Sequence, residues 1–415
     1  MTNDDIIRAA FKVWGRDLYR TTSLAEIALE LGVSKPALYR HFKDKDALLD
    51  AMHTAFFDDC TLFLKKGCEK AEAAVSTQEA YLGFIRTIAE YYIRNKEAFI
   101  FSHILVYNSH ERKNTVEELK NRGVNFKHPV FENKAGLYPA KMQLLLVTAV
   151  YCVADFHYRN FNKSCVPNEE MIIAALDRIE SLLKKGLKMD ERIVSALDYE
   201  RLEKQAASLV GKNKEDNALL KAVAEAVAEA GPWDASMEMV ARRSGLSKSG
   251  LYAHFKNKQD MLAQLFIAEF SKIVNFAKAQ IETTEVHEEQ LYLAIISIVY
   301  YLRSRPELFV AMDWIKTRQL DLGKSMPGRL YRIIRSIQME AIRKCDQHFL
   351  FWAARWIIFM IVNTLALWPS RNGKMNAADE KAWTKSAAAV PNGCFRVLFR
   401  YISLGLEGLI NEEKL

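Results

Sequence analysis

The sequence predicts an all-α protein made of two tandem units, and three observations carry this prediction. First, residues 23–42 read SLAEIALELGVSKPALYRHF and residues 236–255 read SMEMVARRSGLSKSGLYAHF, at one shift of 213 positions (23 to 236) without a gap. Second, apolar residues recur at helical spacing, as Ile7, Phe11 and Trp14 do. Third, no stretch alternates apolar and polar residues long enough to propose a β-sheet.

The composition is that of a folded protein with a slight excess of positive charge. The chain has 58 Lys and Arg against 51 Asp and Glu, a net charge of +7. This balance permits a polyanionic partner without requiring one. The six cysteines form no C-x-x-C pair and complete no zinc pattern with histidine. We therefore expect reduced thiols, no metal and no cofactor.

Two features bear on the location of the protein. The N-terminus is acidic, so we expect no secretory signal. Residues 349–368 are almost continuously apolar, but Arg355 and Asn363 interrupt the run. A spanning helix tolerates few or no charges. The run therefore predicts a buried helix rather than a membrane span, and we expect a cytoplasmic protein.

Within the first copy of the repeat, local chemistry predicts a helix, a tight turn and a second helix. Ser23 and Glu26 have the spacing of a capping box at the start of the first helix. Gly32 is suited to the left-handed conformation that ends this helix. Ser34 is the N-cap candidate of the second helix, and Pro36 falls in its first turn, where a missing N–H is harmless.

The second helix of each copy has an apolar face and a face of small and basic residues. In the first copy Leu38 and Phe42 lie four apart and point inward. Asp44, and Asn257 in the second copy, can cap the helix that follows. Such a short helix suits a DNA major groove, which admits one α-helix. A helix–turn–helix alone is also an ordinary structural hairpin, but the string S-K-x-x-L-Y-x-H-F-K-x-K occurs twice, which favours DNA binding.

Over residues 6–52 and 219–266 both units resemble the TetR family of transcriptional regulators, and the similarity is weak elsewhere. The resemblance implies, in each unit, a three-helix DNA-binding domain followed by a helical domain that dimerises and binds an effector. It implies a double-stranded DNA operator as partner and a nucleoid-associated location. The residues implied to read bases are Lys35, Pro36, Ala37, Arg40, Lys248, Ser249 and Gly250. The residues implied to contact phosphates are Thr22, Tyr39, His41, Lys43, Lys45, Tyr252, His254, Lys256 and Lys258.

The repeat and the resemblance together predict the domain boundaries. We expect DNA-binding domains at residues 1–55 and 214–270, effector-binding and dimerisation-like domains at 56–190 and 271–415, and a connector at 191–213. Two units in one chain depart from the family pattern, so one polypeptide could form the pseudo-dimer that two subunits normally make. Apolar helices near the end of each unit are suited to a four-helix interface within the chain. The alternative is a homodimer of tandem chains.

The two copies differ where DNA would be read. Arg40 can pair bidentately with guanine, whereas its counterpart Ala253 cannot. Thr21, well placed for a phosphate, becomes Asp234, while the second copy offers Arg242 and Arg243. These differences predict an imperfect palindrome that the first copy reads more strictly. The alternative is that the second copy serves only as a scaffold.

The helical domains are rich in aromatic residues, most of which are expected in the core. Family behaviour predicts that some line a pocket for a small apolar or aromatic effector, which would release a repressor from DNA. The candidate pocket residues are Tyr91, Phe99, His103, Tyr151, Asp155, Tyr301, Trp314, Trp352 and Arg355. A thiol-redox regulator using Cys60 and Cys68 is an alternative. We expect no enzyme, because the sequence has no nucleophile elbow, phosphate-binding loop, dinucleotide fingerprint or H-E-x-x-H motif.

Overall fold

The computed structural model describes the greater part of the chain. The described residues are 1–16, 23–108, 115–132, 138–161, 167–208, 218–305, 308, 347–371 and 389–410. Their regular secondary structure is helical, without a β-strand, so the all-α prediction is confirmed for these ranges. They divide into two compact units, one made of Met1–Lys134 with Cys152–Glu180 and the other of Ala135–Tyr151 with Ser181–Leu415.

The first unit opens with three short helices and continues into longer ones. The helices of the first half of the chain are α1 (Asn3–Arg16), α2 (Leu24–Leu31), α3 (Lys35–Tyr39), α4 (Lys45–Glu72), α5 (Thr77–Arg94), α6 (Lys96–Asn108), α7 (Thr115–Asn121), α8 (Lys141–Phe161) and α9 (Glu169–Lys185), with a 3₁₀ turn at Pro129–Phe131. In α6 the Phe101 ring lies 4.8 Å from Phe11 of α1 and 5.6 Å from Phe56 of α4, centroid to centroid. Phe101 therefore packs the first helix into the core of this unit.

The second unit contains the second copy of the motif and the helices around it. Its own helices are α10 (Glu191–Ala196), α11 (Tyr199–Ser208), α12 (Ala218–Asp234), α13 (Met237–Ser244), α14 (Lys248–His254), α15 (Lys258–Ile281), α16 (His287–Ser304), α17 (Gln347–Arg371), α18 (Asn392–Leu404) and α19 (Glu407–Ile410). In α17 Trp356, Ile361 and Leu365 are fully buried, which confirms the prediction of a buried helix. In the part of the chain that the structure describes, no helix combines the length and apolar character needed to cross a bilayer.

The segment predicted as a connector begins with two packed helices. Leu202 and Ala206 of α11 are fully buried. The Glu203 carboxylate of the same helix accepts hydrogen bonds from Arg396 Nε at 2.7 Å and from the Tyr292 hydroxyl at 2.6 Å. Residues 191–208 are thus part of the second unit's helical body, and the predicted boundary at residue 213 stays a prediction.

The chain also contains a pair of reciprocal backbone hydrogen bonds. The Leu187 N–H donates to the Ile402 carbonyl at 2.8 Å, and the Leu406 N–H donates to the Leu183 carbonyl at 2.8 Å. Adding 219 to the first-repeat residue of each bond gives the second-repeat residue of the other bond (187 to 406, 183 to 402). Such reciprocal pairing is the signature of a two-fold, isologous contact. The end of α9, from the first repeat, therefore meets the end of α18, from the second, in a locally two-fold manner.

Side chains from the two repeats also share a buried centre in the second unit. Thr148 of α8 is fully buried. Its hydroxyl oxygen accepts hydrogen bonds from Trp356 Nε1 at 3.3 Å and from the Tyr401 hydroxyl at 3.0 Å. These contacts join α8 to α17 and α18, three of the four apolar helices that the sequence predicts for an interface within the chain.

Candidate nucleic-acid interface

The first helix–turn–helix forms as its sequence predicts, with one exception. The Glu26 carboxylate accepts a hydrogen bond from the Ser23 N–H, and Gly32 ends α2 in the left-handed conformation with φ of 67°. Leu38 is fully buried and Phe42 nearly so. The exception is Ser34, which stands at the N-cap of α3 without a side-chain cap hydrogen bond. The pinned side of α3 leaves its opposite side facing solvent.

The residues predicted to touch DNA in the first copy lie on that solvent side. Lys35, Pro36, Arg40, Tyr39, His41 and Lys43 are exposed, and Ala37 and Lys45 are half-buried. Lys35 Nζ lies 5.7 Å from the centroid of the Tyr39 ring, a cation–π arrangement. His41 Nδ1 lies 2.7 Å from Asn3 Oδ1, which ties the end of the motif to α1. Thr22 lies outside the described residues.

The second copy has the same build. Leu251 and Phe255 are buried, and Gly245 ends α13 with φ of 71°. Here the N-cap is complete, because Ser247 Oγ accepts from the Gly250 N–H at 3.0 Å. The exposed residues predicted to touch DNA are Lys248, Ser249, Tyr252, His254 and Lys256, while Gly250 and Lys258 are half-buried.

The helix after each motif starts at the predicted cap. Asp44 Oδ1 accepts from the Ala47 N–H at 2.7 Å, and Asn257 Oδ1 accepts from the Asp260 N–H at 2.9 Å. A capped helix start presents backbone N–H groups and a positive dipole end, which favour anions. Both copies therefore combine exposed basic side chains with a fixed backbone, the arrangement that holds a phosphate backbone.

The ion pairs of the two motifs differ in sign and position. In the first copy Lys12 of α1 pairs with Glu30 of α2 at 2.6 Å. In the second copy the charges are exchanged, since Glu229 of α12 pairs with Arg243 of α13. Arg242 and Arg243, both predicted to be available for DNA, are exposed, but Arg243 is also used in this helix–helix contact.

A carboxylate–tyrosine hydrogen bond recurs in the two units. The Tyr91 hydroxyl donates to Asp59 Oδ2 at 2.8 Å, and the Tyr301 hydroxyl donates to Glu269 Oε2 at 2.7 Å. Both partners are shifted by 210, as is the start of α5 relative to α16 (77 to 287). Each bond joins the helix that leaves the DNA-binding motif to the next helix. Sequence reasoning missed Asp59 and Glu269, although both stand at this shift.

The pocket candidates of the first unit are part of an aromatic cluster. The Tyr92 ring lies 5.2 Å from Tyr91 and 5.6 Å from Phe99, and the Phe99 ring lies 5.5 Å from His157. Burial lowers the pKa of His157, whose Nε2 lies 2.8 Å from the Tyr92 carbonyl oxygen. Asp155 pairs with Arg159 at 2.6 Å. The structure thus brings Tyr91 and Phe99 into one cluster.

The pocket candidates of the second unit form another group. The Tyr151 ring lies 5.5 Å from Trp352, and the Tyr151 hydroxyl donates to the Trp352 carbonyl at 3.2 Å. Arg355 is half-buried on the same helix, and Tyr301 is engaged with Glu269. Trp314 and the side chain of His103 lie outside the described residues. An effector site at any of these residues stays a prediction.

The two thiols of the redox alternative are buried. Cys60 and Cys68 on α4 are 5% and 4% exposed. Burial raises the pKa of Cys60 to about 12 and that of Cys68 to about 11. Because the thiolate is the reactive form, both thiols are unreactive at neutral pH. The structure therefore disfavours the redox alternative.

Comparison with known proteins finds similarity at both motifs. The family model described as bacterial regulatory proteins, tetR family, matches residues 6–52 and again residues 219–265. Among solved structures, the chain is similar to the transcriptional regulator FadR from Bacillus subtilis in complex with stearoyl-CoA, at 21% identity and a TM-score of 0.32, over 41% of this chain and 97% of that chain. The chain therefore carries, in tandem, two helix–turn–helix domains that match the tetR family of bacterial regulatory proteins.

Proposed function

We propose that this protein is a sequence-specific repressor, not an enzyme, whose two unequal motifs read an imperfect palindrome. The observation that carries the proposal is the matched pair of short helices α3 and α14. Each is anchored to the protein core by a buried leucine and a buried phenylalanine, and each exposes lysine and tyrosine side chains. Buried anchors fix such a helix so that its outer face can enter a major groove.

We also propose that one chain acts as a pseudo-dimer. The reciprocal bonds of Leu187 and Leu406 and the shared centre at Thr148 support this, since both join helices of the two repeats. A two-fold contact made within the chain uses the surface that a second chain would need. A homodimer of tandem chains is the competing arrangement. A monomeric mass in solution at micromolar concentration supports the pseudo-dimer, and a dimeric mass contradicts it.

Release by an effector is proposed to act through linkage between the pocket and the motif. Suppose that an effector binds better to a conformation in which α3 and α14 are misplaced for DNA. It then weakens DNA binding by the difference between its affinities for that conformation and for the DNA-binding one. In the first unit the aromatic cluster around Tyr92 and the Tyr91–Asp59 bond connect α5 and α6 to α4, the helix that starts at the DNA-binding motif. An apolar or aromatic ligand among these rings would perturb this connection.

The decisive experiment is selection of bound sequences from random duplex DNA by the full chain. We expect one site with two related but unequal half-sites. Affinity should fall steeply with salt, because bound lysines and arginines release counterions from the phosphates. Recovery of no preferred sequence, or affinity that does not depend on salt, would contradict the proposed function.

A further inference from the structure

One basic residue of α14, the recognition helix of the second motif, forms an ion pair with an acidic residue. Lys248, the first residue of α14, forms an ion pair with Glu238 in the first turn of α13. Both side chains are largely exposed. The pair therefore lies on the solvent side of the motif, among the residues predicted to touch DNA.

The first copy has no acid at the corresponding position. At the shift of 213 that relates the motifs, Glu238 corresponds to Ala25 and Lys248 to Lys35. Lys35 is exposed, and its ammonium lies near the Tyr39 ring, 5.7 Å from the ring centroid. The two motifs thus differ by one carboxylate at a matched place.

This carboxylate opposes DNA binding in two ways. It holds the Lys248 ammonium, so that a phosphate must compete for it. It also places a negative charge beside a polyanion that carries about one charge per 1.7 Å of helix axis. Salt screens such a repulsion only partly within a Debye length, which is about 10 Å at 0.1 M ionic strength.

We propose that Glu238 is a specificity-determining residue. By pairing with Lys248 it weakens DNA binding by α14, so that the two half-sites contribute unequally to affinity. This inference rests on the proposed DNA-binding function. It adds a cause of the asymmetry that is separate from the Arg40 and Ala253 difference, because it acts through charge rather than base recognition.

The test measures the affinity of the full chain for its selected duplex by fluorescence anisotropy, from about 50 to 200 mM salt. Glu238→Ala, which copies Ala25, should raise the affinity about 3- to 10-fold and steepen the salt slope by about 0.9, the value for one added phosphate contact. Ala25→Glu should lower the affinity. The matched control is Glu282→Ala, which removes the acid of the exposed Lys278–Glu282 pair at the far end of α15 and should change nothing.

A double mutant separates the effect of the Glu238–Lys248 ion pair from the effect of the negative charge of Glu238 alone. In a Lys248→Ala background, Glu238→Ala should give a much smaller gain, because the two residues act together. An unchanged affinity of Glu238→Ala, an equal gain from Glu282→Ala, or a full gain without Lys248 would overturn the inference while wild-type binding stands. A wild-type chain that binds no duplex would instead refute the proposed function itself, and the inference with it.

Discussion

Gly186 and Gly405 lie at a close crossing of two backbones, which leaves no room for a side chain on either residue. A Cβ on Gly186 would lie 2.6 Å from the Gly405 nitrogen, and a Cβ on Gly405 would lie 2.5 Å from the Lys184 carbonyl oxygen. Both glycines have positive φ, 53° and 67°. The two-fold crossing of α9 and α18 therefore requires glycine on both sides.

Gly405→Ala is expected to destabilise the protein by about 2–4 kcal/mol, since it adds a backbone clash and a strained φ. Urea unfolding followed by circular dichroism measures the change. The matched control is Gly393→Ala in α18, where an added Cβ meets nothing within 4 Å. Alanine at this helical position should be neutral or stabilising by up to about 1 kcal/mol. Equal midpoints for the two variants would contradict the close crossing.

Arg40→Ala is expected to cost about 1–3 kcal/mol of binding free energy on the selected site and to relax one base position of one half-site. The reason is that Arg40 can pair bidentately with guanine, whereas Ala253 has no counterpart group. Repeating the DNA selection with the variant measures this. Lys43→Ala, a phosphate-type change, should weaken binding without relaxing any base. Equal relaxation of both half-sites by Arg40→Ala would refute the asymmetry.

Glu203→Gln is expected to destabilise the second unit by about 2–4 kcal/mol, because the Arg396 guanidinium would lose its charged partner. Burial raises the pKa of Glu203, but the bonds from Arg396, Tyr292 and Asn392 outweigh it and lower the pKa. Glu200→Gln, at an exposed position of the same helix, should stay within about 0.5 kcal/mol of wild type. Chemical denaturation measures the free energy of unfolding of both variants. An unchanged value for Glu203→Gln would show that this carboxylate does not hold α11 in place.

Stability is expected to fall in mild acid because of His157. Burial lowers its pKa from 6.5, so the folded protein holds it neutral while the unfolded chain takes up a proton first. Its stabilising contribution is therefore complete above about pH 6.5 and is lost as pH falls from there toward the folded pKa. Thermal unfolding between about pH 7.5 and 5.5 should show a slope that His157→Gln reduces. A slope that survives His157→Gln would exclude this cause.

The helix–turn–helix motifs were predictable because their signals are local. Gly32 at a helix end and Asp44 at a helix start act on residues within one turn, so position along the chain suffices to place them. Ser34 stands at the N-cap of α3 as predicted, but its side chain makes no capping hydrogen bond, whereas its counterpart Ser247 makes one.

Long-range partners were not predictable from one sequence. The Asp59–Tyr91 bond spans 32 positions, and the Gly186–Gly405 crossing spans more than half the chain. Helical periodicity shows which face of a helix is apolar but not which helix it meets. For this reason Tyr91 was predicted only as a pocket residue, whereas the structure gives it a carboxylate partner.

The reciprocal bonds between α9 and α18 also bear on how the regulator responds to its own abundance. Two separate subunits must associate before they can occupy a palindrome. Dilution therefore lowers the occupancy of the site through two equilibria, dissociation of the protein from DNA and dissociation of the dimer. In the proposed pseudo-dimer the two halves are tethered on one polypeptide and meet at an effective concentration in the millimolar range, whatever the copy number of the protein. Occupancy should then rise in simple proportion to the number of chains, and a cell could control its target with very few molecules.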